Sequence, residues 1–330
     1  MSFKRLDPED FLVSVDSVTA TAWSTNSPTL TAFFTSSVTS TNDSYYKNIY
    51  QTASTASGSA VQFAIAYGNQ YGSGSANFND SVPGVSPTRT VYGQYRNLVY
   101  GSETATFIFG TITASDFWAI SVDRARYKEH LLKGTFNLTL SGSGIQTLKL
   151  TDNSGMVSTD TYLDCGRVYQ IISGSNGVAY SGTGQSPSSG SYGLFLPDIA
   201  TIILNPLALS QSINLSPSRS SDSDGLNIDK LFSAISGAAS FQINSEETVT
   251  SDYVFVRARN SEFNYSENPS FISGSTGDVI FSTFINSPQT YMTTVGFYND
   301  TNDLLAVAKL SKPLTKDFTK EALVRVKLDF

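Results

Sequence analysis

The sequence predicts a mainly β protein built from several antiparallel, β-sandwich-like modules with one or two short helices. Charged residues make up only 15% of its 330 residues, below the roughly 25% of typical soluble domains. Ser, Thr and Asn are abundant, and their side chains compete with helical hydrogen bonding. Many short segments alternate apolar with polar residues and are separated by turn-forming residues, which is the pattern of strands.

The N-terminal region, residues 1–25, is predicted to be a strand or an extended arm. Residues 11–18 (Phe-Leu-Val-Ser-Val-Asp-Ser-Val) alternate, and the extended stretch ends at Trp23. Two interpretations remain open at this point. The segment is either the first strand of the first domain or an arm that adds to the sheet edge of a neighbouring subunit. In the second case Trp23 is an aromatic anchor at an interface.

Residues 26–190 are predicted to form a β-rich domain that contains the clearest helix of the chain. The helix is expected near residues 87–100, with Ser86 as a plausible N-cap and Pro87 in the first turn. Val91, Tyr95 and Leu98 then recur at helical spacing, and the following Gly101 can end the helix. The aromatic and arginine side chains of this helix favour core packing over a nucleic-acid stacking platform.

A cationic cluster at residues 124–130 is the densest charge in the first half of the chain. Arg124 and Arg126 lead it, followed by Lys128 and His130. Three interpretations are open: a solvated turn, an ion-pair site between subunits, or a catalytic base at His130. No Ser or Cys nucleophile motif accompanies this histidine, and a chain with one histidine cannot form a multi-histidine metal site. We therefore expect no enzyme, no metal and no cofactor.

Residues 191–330 are predicted to be a second β-rich domain. A Ser/Gly-rich loop at residues 181–192 motivates the boundary near residue 190. The most apolar segment, residues 192–206, predicts two buried strands or a strand with a helical turn. A short helix is expected at residues 227–239, and strands resume at residues 240–243 and 253–258.

The last forty residues carry the strongest strand pattern. Alternation before Asn299 and again at residues 304–310 predicts two strands, and the polar stretch 299–303 between them predicts a hairpin loop. Residues 322–330 alternate apolar with charged side chains. Because a chain end normally frays unless packing holds it, we expect this terminal strand to be docked in a sheet or against a partner.

Several sequence blocks resemble phage structural proteins. Residues 294–300 (Thr-Val-Gly-Phe-Tyr-Asn-Asp) and 303–308 (Asp-Leu-Leu-Ala-Val-Ala) resemble the hairpin of bacteriophage tail-collar, fibre-attachment and baseplate proteins. The opening residues 2–10, and the blocks 92–98 and 124–129, are similar to virion structural proteins of marine T-even-like cyanophages, which are contractile-tailed. The resemblance implies a structural role in a virion and supplies no catalytic residues.

Together these observations predict a structural component of a virion, expected in the tail or baseplate as a wedge or fibre-connector protein. The expected partners are other virion proteins and copies of the same chain, without a small-molecule substrate. The alternatives are a distal receptor-binding or carbohydrate-binding tail module and a capsid decoration protein. The candidate interface residues are Trp23, Arg124, Arg126, Tyr291, Phe297, Tyr298, Leu304, Leu305, Lys309, Lys312, Arg325, Lys327 and Phe330.

Charge and hydropathy exclude other classes. A formal net charge of −7 disfavours binding to nucleic acid or to an anionic membrane as the main role. No apolar run is long enough to predict a transmembrane helix, and no apolar stretch follows the charged start as a signal peptide requires. We expect a soluble protein made in the host cytoplasm and then incorporated into the virion. The single cysteine, Cys165, excludes an internal disulfide.

Overall fold

The computed structural model describes residues 3–35, 46–75, 85–142, 146–180, 188–219, 224–266 and 268–329. The chain is mainly β, with 43% strand against 16% helix, and large antiparallel sheets that place it in the β-sandwich-like class. The fold class predicted from composition and alternation is therefore confirmed.

The strands are numbered in chain order. They are β1 (Phe11–Thr21), β2 (Thr29–Leu30), β3 (Phe34–Thr35), β4 (Lys47–Tyr50), β5 (Val61–Asn69), β6 (Phe107–Phe109), β7 (Ile112–Ala114), β8 (Asp116–Val122), β9 (His130–Leu131), β10 (Asn137–Ser141), β11 (Thr147–Asp152), β12 (Thr161–Leu163), β13 (Gly166–Ser175), β14 (Val178–Ala179), β15 (Gly193–Leu196), β16 (Thr201–Leu204), β17 (Phe241–Gln242), β18 (Asn244–Ala258), β19 (Thr290–Tyr298), β20 (Leu304–Lys316) and β21 (Ala322–Asp329).

Four α-helices occur among the described residues, more than the one or two expected. They are α1 (Thr88–Tyr100), α2 (Pro206–Ile213), α3 (Asp224–Ala238) and α4 (Ser282–Asn286). The first matches the predicted helix near residues 87–100, although Pro87 rather than Ser86 is its N-cap residue, and Gly101 ends it with a φ of 59°. The second was missed because it is short. Asn205 caps it by accepting a hydrogen bond from the backbone amide of Leu207.

The chain divides into two compact units. The terminal unit is Met1–Ser17 together with Thr248–Phe330, and the central unit is Val18–Glu247. This division differs from the boundaries expected near residues 25 and 190. Strands on both sides of residue 190 pair directly, since Tyr169 lies opposite Phe195 in the register of β13 and β15. The Ser/Gly-rich segment, of which residues 181–187 lie outside the described part, thus connects neighbouring strands of one sheet.

The central unit is organised by one large sheet. Its main strand order is β2-β17-β10-β11-β13-β15-β16-β8-β5-β4-β3, with β12 and β14 paired to β13. Although β5 and β17 are far apart in this order, the rings of Phe63 and Phe241 lie 5.4 Å apart. The sheet therefore folds over on itself, so that side chains from its two ends meet in a common core.

Helices fill both faces of this folded sheet. On the inner face α3 packs against β10 and β5, and the indole Nε1 of Trp118 donates a 2.9 Å hydrogen bond to the carbonyl of Asn227. On the other face α1 contributes Tyr92, whose ring lies 5.4 Å from Phe107 and 5.5 Å from Phe117. Each face thus has its own apolar core, and the central unit buries most of its large side chains.

The terminal unit contains a smaller sheet and a separate hairpin. The sheet has the order β1-β18-β21, with β9 of the central unit paired to the start of β18, and among the described strands β19 pairs only with β20. The boundaries between the units fall within β1 and within β18. The predicted hairpin around residues 299–303 and the predicted terminal strand are both present, as β19–β20 and β21.

Trp23 is a core residue of the central unit, contrary to its expected role as an interface anchor. Only 2% of its surface is exposed, its ring lies 4.9 Å from that of Phe241, and its Nε1 donates a 2.9 Å hydrogen bond to the Phe241 carbonyl. The sequence showed an aromatic residue at the end of an extended segment but not that β17 lies beside it.

We predict that Trp23→Ala lowers the free energy of unfolding of the central unit by about 3–5 kcal/mol, because it leaves a cavity among aromatic rings. Urea unfolding followed by circular dichroism measures this change. The control Tyr71→Ala removes a side chain that is 80% exposed and should change the stability by less than about 0.5 kcal/mol. Equal stability of both variants would contradict the core position of Trp23.

Candidate interaction surface

The terminal unit exposes an unusual amount of apolar surface. It holds less than a third of the chain, yet it carries most of the exposed large apolar side chains of the described residues. They are Phe3, Phe11, Leu12, Val13, Val15, Phe263, Tyr265, Ile280, Phe281, Ile285, Tyr291, Tyr298, Leu304, Leu305, Val307, Leu314, Phe318 and Leu323. Exposed apolar side chains that cluster into patches mark interaction sites in folded proteins.

The hairpin of β19 and β20 is the largest contributor. Its strands pair from Thr290 opposite Lys316 to Tyr298 opposite Leu304, with register shifts between Met292 and Thr294 and between Phe297 and Tyr298. Such irregularities bend and twist a hairpin. No third strand among the described residues pairs with it. A two-stranded hairpin is only marginally stable by itself in water, so this one depends on contacts outside its own ladder.

The hairpin loop is held by its own polar side chains. The side-chain oxygen of Asn299 accepts hydrogen bonds from the backbone amides of Thr301, at 3.1 Å, and Asp303, at 2.7 Å. Asn302 adopts the left-handed conformation with a φ of 64°. Two hydrogen bonds lower the pKa of the Asp303 carboxyl, of which the one from Thr301 has the larger effect and the one from Asn299 the smaller. The polar sequence that predicted this loop therefore also fixes its shape.

Both faces of the hairpin carry apolar side chains. Leu304 and Leu305 are neighbours in a strand, so they point to opposite faces, and both are exposed, Leu305 at 67%. Tyr291 and Val307 are exposed as well, whereas Phe297 is half-buried. Tyr298 makes an edge contact with Phe3, with ring centroids 5.2 Å apart. One chain thus covers only part of the apolar surface of its hairpin.

A buried lysine anchors the base of the hairpin. Lys316, the last residue of β20, is fully buried. Its Nζ donates hydrogen bonds to the Asn264 side-chain oxygen at 2.7 Å and to the backbone carbonyls of Asn260 and Asp317 at 3.0 Å. Nearby, the Thr290 hydroxyl donates to the Phe263 carbonyl at 2.8 Å. These bonds tie the start of β19 and the end of β20 to the loop that follows β18.

The terminal strand β21 has one buried and one exposed face. It pairs antiparallel with β18, with Val324 opposite Val256 and Val326 opposite Val254. Val324 and Val326 are buried, whereas Leu323, Arg325 and Lys327 are exposed. The expectation that this strand is docked in a sheet is met by this pairing. Val324 and Val326 are buried on the covered face of the sheet, so only the side chains on the exposed face of β21 are available to a partner.

The exposed face of this sheet combines cations with an aromatic ring. The charged groups of Arg325 and Lys327 lie 5.5 Å and 5.9 Å from the centre of the Tyr253 ring. Lys327 also forms a 2.9 Å ion pair with Asp329. The hydrogen bond to Asp329 raises the pKa of the Lys327 ammonium. The pKa of the Asp329 carboxyl is lowered, mainly by the hydrogen bond from Ser251 and less by the one from Lys327.

The remaining predicted interface residues fall in different places. Lys309 and Lys312 are exposed on β20. Arg124 and Arg126 form a 3₁₀ turn of the central unit that Asp123 caps, and Arg124 donates to the carbonyl of Tyr127 at 2.7 Å. Phe330 lies outside the described residues. The predicted residues therefore do not form one surface. Those of the hairpin lie together on β19 and β20, and Arg325 and Lys327 lie together on β21.

His130, one of the candidates for an ion-pair or catalytic role, is paired within the central unit. Its Nε2 lies 3.0 Å from a carboxylate oxygen of Glu246, which is its direct neighbour across β9 and β18. Sequence reasoning missed the exposed apolar residues of β1 and of α4. The alternation at residues 11–18 indicated the strand, but it did not show that the strand lies at a sheet edge.

No cluster of three or more potential metal-binding side chains occurs among the residues that the structure describes. None of the helices among these described residues combines the length and the apolar character that a membrane crossing requires.

No family model matches the chain, and no curated protein or solved structure matches it significantly.

We predict that Lys316→Met loosens the hairpin, because it leaves the Asn264 side-chain oxygen and the backbone carbonyls of Asn260 and Asp317 without their donor. A loss of about 1–3 kcal/mol of local stability is expected. Hydrogen exchange measured by mass spectrometry should therefore become roughly tenfold faster or more in peptides from β19 and β20.

The control for this measurement is Lys312→Met on the same strand, because Lys312 is exposed. This variant should leave hydrogen exchange in the hairpin unchanged. If Lys316→Met and Lys312→Met behave alike, the buried lysine is not the anchor of the hairpin.

Proposed function

We propose that this chain is a structural component of a bacteriophage virion that acts through protein–protein contacts, in the tail or baseplate as a wedge or fibre-connector protein. The observation that carries the proposal is the exposed apolar surface of the hairpin, residues 290–316, in a unit that leaves much of its apolar surface uncovered. The resemblance of this hairpin to phage attachment hairpins supports the same conclusion.

The chemistry of the hairpin suits a protein partner. Burial of Leu305 and Val307 would each contribute on the order of 1.5–3 kcal/mol. Exposed tyrosines such as Tyr291 add large contact areas at small entropic cost and keep a polar group for the rim of an interface. Lys309 and Lys312 lie on the same strand and are exposed. They would orient an acidic neighbour before the apolar residues are buried.

The central unit needs no partner in this proposal. Its sheet folds over on itself and is covered by helices on both faces, so most of its large apolar side chains are already buried.

We predict that Leu305→Lys reduces incorporation of the chain into virions by roughly tenfold or more, since an apolar contact is lost and a charge must be desolvated. Virions purified from cells that supply an affinity-tagged chain are assayed by immunoblot. The matched control is Tyr162→Lys in the central unit, where the side chain is 66% exposed, against 67% for Leu305. This control should be incorporated normally.

The possible outcomes separate the functions that the sequence left open. Absence of the unsubstituted chain from purified virions contradicts a virion role. Normal incorporation of Leu305→Lys with reduced adsorption of the particles to host cells contradicts the attachment role and favours a distal receptor-binding module. Loss of both variants from virions would show that incorporation does not depend on the hairpin in particular.

A further inference from the structure

The edge strand β1 exposes a second apolar surface, separate from the hairpin. Phe11, Leu12, Val13 and Val15 are between 48% and 64% exposed. In the sheet order β1-β18-β21 this strand pairs with β18 on one side. No other strand among the described residues pairs with its second side. A long edge strand with apolar side chains is a template for pairing with another chain.

The two edges of this small sheet differ in the way they are protected. The strand β21 carries Arg325 and Lys327 on its exposed face, and charged side chains, lysine above all, discourage pairing at an edge. By contrast, β1 spans eleven residues with Asp16 as its single charge and has no lysine, arginine or proline. One edge is therefore guarded by cations, whereas the other is not.

Alternation assigns the side chains of β1 to the two faces of the sheet. Because side chains alternate along a strand, Phe11, Val13 and Val15 point to one face, and Leu12 and Asp16 point to the other. The side chains of Phe11, Val13 and Val15 are all exposed. One face of β1 is thus apolar and open.

We propose that β1 pairs antiparallel with β1 of a second copy of this chain, about a twofold axis perpendicular to the sheet. The sheets of the two copies then become one continuous sheet, and the open apolar faces of both copies meet along β1. The expected register places Val15 opposite Val15 of the second copy. Phe11 and Val13 of each copy then extend the same apolar face on both sides of the axis.

The charge on β1 favours a second copy in this register. With Val15 on the axis, Asp16 lies opposite Ser14, whose hydroxyl can donate to the carboxylate, and the two Asp16 side chains do not face each other. Like charges directly opposite would destabilise the pair. The strand is therefore complementary to itself, which an isologous twofold contact requires. In this register Phe11 lies opposite Thr19, so the paired segment is residues 11–19 and is about 30 Å long.

An edge of this length buries less than the roughly 1,600 Å² of a standard stable interface, so the pairing is expected to depend on concentration. This inference concerns β1 alone, and it holds whether or not the hairpin attaches the chain to a virion. A strand from a different protein is the other possible occupant of the edge, and the experiment separates the two.

The test is the mass of the purified full chain by sedimentation equilibrium over a concentration series. The expected result is a rise from the 35.6 kDa of one chain toward twice that value. Val15→Lys and Val15→Glu should each raise the dissociation constant roughly tenfold or more, because like charges then meet at the axis. A mixture of the two variants should regain the doubled mass, since opposite charges pair in the mixed dimer.

The matched control is Leu323→Lys on the guarded edge, where the side chain is 64% exposed, as is that of Val15. Its mass should equal that of the unsubstituted chain. Hydrogen exchange of the unsubstituted chain supplies a second readout, in which peptides covering residues 11–19 gain protection as the concentration rises.

Two results would overturn the proposal. One is a single-chain mass at every concentration without a change in exchange at β1, which leaves the edge to a different protein. The other is a doubled mass that Val15→Lys does not alter, which places the contact between copies elsewhere on the chain.

Discussion

The structure depends on how each sheet covers its apolar faces. In the central unit the large sheet folds over on itself, α2 and α3 fill the inner face, and α1 covers the other. In the terminal unit three strands and a two-stranded hairpin leave many large apolar side chains exposed. Among the described residues, the five-residue α4 is the one α-helix of this unit. Burial of apolar surface is the main favourable contribution to folding, so a partner that covered these side chains would stabilise this unit further.

Polar interactions compensate in part for the small apolar core of the terminal unit. The buried ammonium of Lys316 holds the hairpin base through neutral acceptors, and the Asn299 side chain shapes the loop at the opposite end. These bonds fix the hairpin without covering Leu304, Leu305 or Val307. A surface that is held in shape and left uncovered is preorganised for binding, which lowers the entropic cost of association.

Local patterns in the sequence predicted the elements, whereas pairing across the chain decided their roles. The alternation at residues 322–330, the polar loop at 299–303 and the helical spacing near residues 87–100 all correspond to observed elements. Trp23 was misassigned because its environment comes from β17, more than two hundred residues away. The boundary near residue 190 was misplaced because the Ser/Gly-rich sequence that separates the paired strands β13 and β15 has the composition of a linker. Alternation also cannot show that β1 lies at a sheet edge.

The central claim is that a partner completes the terminal unit. It is tested most directly by an electron cryomicroscopy map of assembled virions in which this chain is traced. The account predicts that both faces of the hairpin, residues 290–316, lie against another protein and that Leu305 and Val307 become buried. A map in which the hairpin faces solvent while the chain is held only through its central unit would contradict it.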